Sequence, residues 1–324
     1  MKLWCNLQHD WPIARMALCS QGRYLFTTSG ESDRSTIWDI QKLEKPTKLS
    51  EFGEGGSAFD RVMDAAFSPQ GNSLVLVSPG RGIEFRHPQS GELLEVWEKC
   101  EPKDYNRGYS HIAFDQAGAY LFVNGWRERQ ISVLNTHTGN YELNFPSSGI
   151  GPFALHPSGS LMACTLVEEG GASVRFVSLV DSPSLLDEEH DIFADIGSIQ
   201  FSPDGESFVV AGGFPPIEID VFQFPDVKEI GEWFGLEAAT VTRPWCHEWG
   251  ASLVSGFAYT PNSSSLLLPG PEGEIFEWSI EDKALTRTWQ AHDELLTAVV
   301  LHHQRNLLLS ASRDGSIKLW RWSP

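Results

Sequence analysis

Short apolar runs alternate with polar corners along the whole chain, and the corners repeat. After a first run, each unit turns through Leu18-CSQG, Phe67-SPQG, Phe114-DQAG, Leu155-HPSG, Phe201-SPDG, Tyr259-TPNS or Leu301-HHQR. The turns therefore end at Gly22, Gly71, Gly118, Gly159, Gly205, Ser263 and Arg305. A second run follows every turn: YLFTTS from Tyr24, SLVLVS from Ser73, AYLFVN from Ala119, SLMACT from Ser160, SFVVAG from Ser207, SLLLP from Ser265 and NLLLSAS from Asn306. A third run closes the units near Trp38, Arg86, Leu134, Val177, Phe222, Trp278 and Trp320. Ile83, Ile131, Ile219, Ile275 and Ile317, with Val174 as the conservative version, stand three residues before the closing position. Runs this short and this rich in Val, Leu and Ile predict strands. Agreement at three places in every unit, with a period of about 40 to 60 residues, predicts seven copies of one β meander.

The last copy is the most complete. Between His292 and Trp322 an apolar run at Leu296–Leu301, a second at Asn306–Ser312 and a third at Ser316–Trp320 are joined through Arg313-Asp314-Gly315. Asp-Gly is a strong hairpin signal, because Gly tolerates positive φ and Asp bonds its own backbone. The punctuation of this stretch resembles a WD40 repeat: Ala291-His292 before the first strand, Ser310 or Ser312 near the end of the second, Asp314 in the tight turn and Trp320 closing the third. The resemblance implies a hydrogen-bonded relay through His292, Ser310, Asp314 and Trp320, with each neutral bond adding about 1 kcal/mol net. The first copy echoes it with His9, Thr28, Asp33 and Trp38-Asp39, although Asp33 stands one residue closer to its Trp than Asp314 does. The middle five copies keep the apolar pattern and lose the signature: His87, Asn135, Ser178 and Gln223 follow the third-strand position where Asp is expected. The last copy too has Trp320-Arg321 where the family's Trp-Asp belongs.

The resemblance implies an all-β fold, a single seven-bladed WD40-type β-propeller over residues 1–324. It also implies how the last blade is completed. The copy at about 290–322 is followed by only two further residues, and KLWCNL at Lys2–Leu7 precedes His9, where WD40 chains keep the strand that closes the last blade. Closure of that kind removes sheet edges that otherwise invite aggregation.

Recognition is expected on the connections. Outer strands are predicted near Thr47–Phe52, Leu93–Trp97, Tyr141–Phe145, Ser184–Leu186, Lys228–Phe234 and Leu285–Trp289, with long connections at Gly53–Asp60, Glu98–Gly108, Asp187–Asp195 and Gly235–Ser252. All four connections are expected on one face. The last carries Arg243, Trp245, Cys246, His247 and Trp249; Trp and Arg are enriched at interface hot spots, and the same two Trp are equally placed to fold back over the sheets. A second group, Arg81, Arg107, Arg127 and Arg129 with Trp126, opposes Glu168, Glu169, Asp187, Glu188, Glu189 and Asp191, so the face is either polarised toward a partner of matching charge or simply carries scattered surface charge.

Composition narrows the function. With 324 residues and 41% hydrophobic positions the chain can bury a sizeable core. A formal charge of -19 disfavours general binding to nucleic acid or anionic membranes and is compatible with basic protein partners. No run approaches the roughly 20 apolar residues that span a bilayer, and Met1–Ser20 lacks the features of a cleaved leader. Five scattered cysteines without a Cys-x-x-Cys spacing predict neither a disulfide framework nor a zinc module, and Cys246-His247 is one pair short of a ligand set. No metal or cofactor is expected, and the expected home is the cytoplasm, with the nucleus as the other reducing compartment. No Gly-x-Ser-x-Gly, His-Glu-x-x-His or P-loop pattern occurs.

These features predict a non-catalytic scaffold or adaptor subunit that holds proteins on its loop-rich face, monomeric by itself and part of a hetero-complex. The rival is an enzyme, or a sensor of small ligands or modified peptides, working from a central channel. An acid or His cluster with shifted pKa values lining the channel mouth favours that rival, whereas an uncharged channel beneath an aromatic-rich face favours binding.

Overall fold

A computed structural model of the chain describes residues 1–29, 32–53, 60–78, 80–97, 109–125, 130–146, 152–168, 171–180, 184–193, 196–212, 218–234, 256–270 and 272–323. They form seven four-stranded antiparallel sheets. The first comprises β2 (Ile13–Leu18), β3 (Tyr24–Ser29), β4 (Ser35–Asp39) and β5 (Thr47–Phe52), and β6 (Asp64–Phe67), β7 (Leu74–Ser78), β8 (Gly82–Arg86) and β9 (Leu93–Trp97) make the second. The third is β10 (Tyr109–Phe114), β11 (Tyr120–Gly125), β12 (Gln130–Asn135) and β13 (Tyr141–Pro146); the fourth is β14 (Phe153–Leu155), β15 (Leu161–Glu168), β16 (Gly171–Ser178) and β17 (Ser184–Phe193). Sheet five is β18 (Ile196–Phe201), β19 (Ser207–Gly212), β20 (Glu218–Gln223) and β21 (Lys228–Phe234); sheet six is β22 (Ala258–Tyr259), β23 (Ser265–Pro269), β24 (Glu274–Ser279) and β25 (Ala284–Gln290). In the seventh, β26 (Leu296–His302), β27 (Leu307–Ser312) and β28 (Ser316–Arg321) are joined by β1 (Lys2–Gln8), which pairs with β28 from Lys2↔Arg321 to Gln8↔Ser316. The fold class is all-β, a seven-bladed β-propeller whose last blade is completed by the N-terminal strand.

The turn residues explain why each meander forms. Gly22, Gly71, Gly118, Gly159 and Gly205 all have φ between 65° and 76°, and Ser263 adopts the same region at 59°. In the last copy a short 3-10 turn at His303–Arg305 moves the left-handed position one residue on, to Asn306 at φ 47°.

The chain divides into two compact units, Trp11–Ile150 and Met1–Asp10 with Gly151–Pro324. In the first, Phe26, Ile37, Leu74 and Leu76 pack between sheets one and two, and Val75, Val77, Ile112, Leu121 and Val123 between sheets two and three. In the second, Phe176 and Phe208 pack between sheets four and five, Val221, Tyr259 and Trp278 between five and six, and Leu267, Val299, Leu308 and Trp322 between six and seven. Each fully buried aliphatic or aromatic side chain contributes about 1.5 to 3 kcal/mol. Turn side chains lace neighbouring sheets as well: Ser20 Oγ donates to Pro69 O at 2.8 Å, Gln70 to Ala117 O, and His156 Nε2 lies 3.0 Å from Gly205 O.

One expected connection is a strand. Asp187–Asp195 was the predicted loop after a short outer strand, but β17 runs for 10 residues to Phe193 beside two 8-residue strands, β15 and β16. The extended β16 supplies the partner, with Ser173 opposite Asp191 and Ala172 opposite Phe193.

Candidate functional site

The seventh sheet places its polar punctuation in contact. His292 is 1% exposed; its Nε2 lies 2.7 Å from Ser310 Oγ and its Nδ1 2.7 Å from Ser316 Oγ. Trp320 Nε1 donates to the same Ser310 Oγ at 2.9 Å. An indole N–H can only donate, so Ser310 Oγ accepts from Trp320 and keeps its proton and a second lone pair for its other contacts, His292 Nε2 among them. A neutral imidazole donates from one ring nitrogen and accepts at the other, so the ring joins the two hydroxyls with opposite polarity. Asp314 Oδ2 stands 3.7 Å from Nδ1, while its Oδ1 accepts from the Ser316 amide at 2.7 Å. Ser312 lies off this path, donating to Glu294 O at 3.2 Å. Ser316 is the member that the sequence pattern missed; the only signal for it is a hydroxyl two residues after Asp314.

Burial, with Lys318 nearby, pushes His292 down to about 4 despite the opposing influence of Asp314. The imidazole is therefore neutral at pH 7. Burial works to raise the Asp314 carboxyl, but hydrogen bonds from Ser316 and the nearby His292 bring it below the ordinary carboxylate value.

The first sheet arranges the matching residues differently. Ser35 Oγ donates to Thr28 Oγ1 at 3.1 Å, and Asp33, 3% exposed, forms an ion pair with Arg81 from the next sheet. Arg81 Nε also reaches Asp60 Oδ1 at 3.4 Å. Arg81, a candidate for partner binding, is thus engaged in tying two sheets together while keeping 32% of its side chain exposed. Trp38 is buried in this unit, whereas His9 belongs to the other unit, where its amide donates to Gly315 O at 2.9 Å. The remaining candidates Arg107, Trp126, Arg127, Arg129, Arg243, Trp245, His247 and Trp249 lie outside the described residues.

A backbone approach holds the relay in place. The amides of Ala291 and His292 both donate to Gly273 O at 2.9 Å, and a Cβ on Gly273, whose φ is +89°, would stand 2.1 Å from His292 O. Gly273→Ala is expected to cost about 3 kcal/mol or more, since both the positive φ and a backbone collision oppose it. Gly71→Ala, with φ +71° but nothing within 4 Å, should cost only about 1 kcal/mol. Equal shifts of the two urea midpoints would contradict this reading.

Sequence reasoning also passed over a polar group on the first strands of the Trp11–Ile150 unit. Arg15 Nε on β2 donates to Met63 O at 3.1 Å; Asp64 on β6 accepts from Ala65 N at 2.9 Å and from Ile112 N of β10 at 3.1 Å; His111 precedes Ile112. Burial raises the Asp64 carboxyl against the pull of Arg15, and burial together with Arg15 pushes His111 down to about 3. Among the described residues no group of three or more His, Cys, Asp and Glu could hold a metal ion, and no helix is long and apolar enough to cross a membrane.

Comparison with known proteins agrees with the seventh sheet. The WD40 family model, described as WD domain, G-beta repeat, matches residues 283–321. ASTRA-associated protein 1 of Scheffersomyces stipitis is 39% identical over 59 residues, 18% of this chain and 13% of that protein. Protein ROOT INITIATION DEFECTIVE 3 of Arabidopsis thaliana is 30% identical over 67 residues, 21% of this chain and 15% of its own length. These matches span under a sixth of either relative. The chain thus carries a WD40 repeat match in its seventh sheet, and its seven four-stranded sheets, built on the same meander, are consistent with the WD40-repeat β-propellers.

Proposed function

We propose that the protein is a non-catalytic scaffold or adaptor subunit in the cytoplasm, holding protein partners through the connections between its blades. The observation that carries this reading is the length of residues 235–257, which separate β21 from β22, against the two residues that separate β17 from β18. That long connection carries Arg243, Trp245, His247 and Trp249, side chains of the type that anchor protein interfaces. The WD40 repeat match over residues 283–321 supports it, as does the name of one relative, which describes that protein as ASTRA-associated.

The test compares proteins co-purifying with the wild type, with Trp245→Ala/Trp249→Ala and with Arg127→Glu/Arg129→Glu, quantified by mass spectrometry. Partners in common should fall at least tenfold in one variant while melting temperature is kept. Identical partner sets in folded variants would remove the loop-borne surface. Loss of folding in the Trp pair would show instead that the two indoles cover the sheets. A ligand site on the first strands is the second reading, favoured by Arg15, Asp64 and His111.

A further inference from the structure

We propose that the outer strands of sheets two and three form a docking surface for a basic amphipathic segment of a protein partner, centred on Leu93, Leu94 and Tyr141. In every sheet the register slips beside the outer-strand residue that pairs with the closing third-strand position. That residue is Leu3, Lys48, Leu93, Tyr141, Leu185, Glu229 or Leu285, and all seven are exposed. Lys48 and Glu229 mean that the fold accepts charge at this point, so a large apolar side chain there is not a requirement of the sheet.

Sheets two and four add a second leucine at the bulge, which re-aims the side chains beside it. The pair in sheet two is the more exposed, Leu93 at 46% and Leu94 at 55%. Single exposed apolar residues are ordinary, whereas adjacent ones that meet a third across a seam mark a contact surface. Here the third is Tyr141. The corner before β13 lies on β9, since a Cβ on Gly139 would stand 3.4 Å from the Trp97 ring. Glu95 and Tyr141 pair with Phe85 and Leu134, which pack in one cluster between sheets two and three, so both side chains face that seam.

Charge selects the occupant. Glu92, Glu95 and Glu142 border the apolar side chains and are exposed. Arg86, the cation of β8, is taken up by Glu84 at 3.0 Å and by the main-chain oxygen of Gly91 at 2.8 Å. A second copy would set the same acids against themselves across a two-fold interface. Anionic membranes and nucleic acid would meet the same repulsion, in a chain whose net charge is -19. A segment whose apolar face is edged with Lys or Arg satisfies both the leucines and the acids. This inference does not rest on the loop-borne surface proposed above, whose failure leaves it standing.

The experiment titrates full-length protein into a fluorescein-labelled amphipathic Leu/Lys peptide and reads anisotropy, beside a Lys/Gln peptide of equal charge and a Leu/Glu peptide of equal apolarity. Saturable binding of the Leu/Lys peptide is expected, with either control weaker by about tenfold or more. Leu93→Ser/Leu94→Ser and Glu92→Lys/Glu95→Lys should each weaken it by about tenfold, while Leu285→Ser, at the same repeat position in sheet six, should leave it unchanged. Absence of saturation, or full binding by both sheet-two variants, overturns the assignment. Equal binding of the Lys/Gln peptide overturns it as well, since net charge alone would then explain the effect. These substitutions change exposed side chains, so melting temperatures should stay close to wild type. A fall confined to the leucine variant leaves the glutamate variant to decide. Sedimentation of the free protein tests the other occupant: self-association that Leu93→Ser/Leu94→Ser abolishes would assign the surface to a second copy and overturn the proposal.

Discussion

Removing Met1–Gln8 is expected to lower the melting temperature by about 10 °C or more, because the seventh sheet takes its outer strand from the start of the chain. β1 pairs with β28 through six residue pairs, and Gln8 Nε2 donates to Asp314 O at 2.9 Å. Leu7 is buried, and Met1 packs against the cluster containing Trp322. With each backbone bond contributing about 1 kcal/mol net and Leu7 about 2 kcal/mol, the loss is about 5 kcal/mol or more, which in a chain of this size corresponds to about 10 °C. The deletion also bares the edge of β28, so concentration-dependent association should accompany the lower melting point. A synthetic peptide of sequence KLWCNLQ, added in excess, should restore part of the loss by re-forming the strand. A truncated protein that melts with the wild type would show that β1 contributes little to the sheet it completes.

The strand order was legible because every meander repeats the same physical constraint. A residue near φ +65° must end the first turn, and six of the seven copies place Gly or a tolerant Ser there. The last copy has Arg305 at that point and inserts a 3-10 turn, so Asn306 takes the strained position. The limits of β17 were not legible: four acids in Asp187–Asp191 read as a solvated connection, while the pairing that makes them a strand comes from the equally extended β16. Sequence pattern reports local preference; the partner strand decides.

The same distinction applies to the candidate sites. His292, Ser310 and Trp320 could be placed because the repeat brings them to fixed points of one sheet, where Nε2 of the imidazole meets the hydroxyl that the indole also uses. Arg81 read as an exposed recognition residue, yet its partners Asp33 and Asp60 are 48 and 21 residues away in sequence, a separation that no local pattern reveals. No local pattern singled out Arg15, Asp64 and His111. Their equivalence appears only when the repeats are counted back from the turn.

Acidification should expose the cost of burying His292. Its folded-state pKa, about 4, lies below the ordinary 6.5, so the unfolded chain takes up a proton between these values and the folded chain does not. The stabilisation from the neutral imidazole is complete above pH 6.5 and is lost as pH falls through about 4, amounting to about 3 kcal/mol. His111, pushed down to about 3, acts in the same direction, while Asp64, whose carboxyl is raised, acts in the opposite one and favours the acid side. Comparison with His292→Gln separates them, since both other groups are common to the two proteins. At pH 7 the variant should be less stable by about 2 to 4 kcal/mol, because the hydroxyls of Ser310 and Ser316 lose the ring that joined them. From pH 7 to pH 4, wild type should lose stability faster than the variant, so the gap between their urea-derived unfolding free energies narrows. Parallel pH profiles would mean that the His292 pKa is the same in the folded and unfolded chain, so that burial does not disfavour its charge.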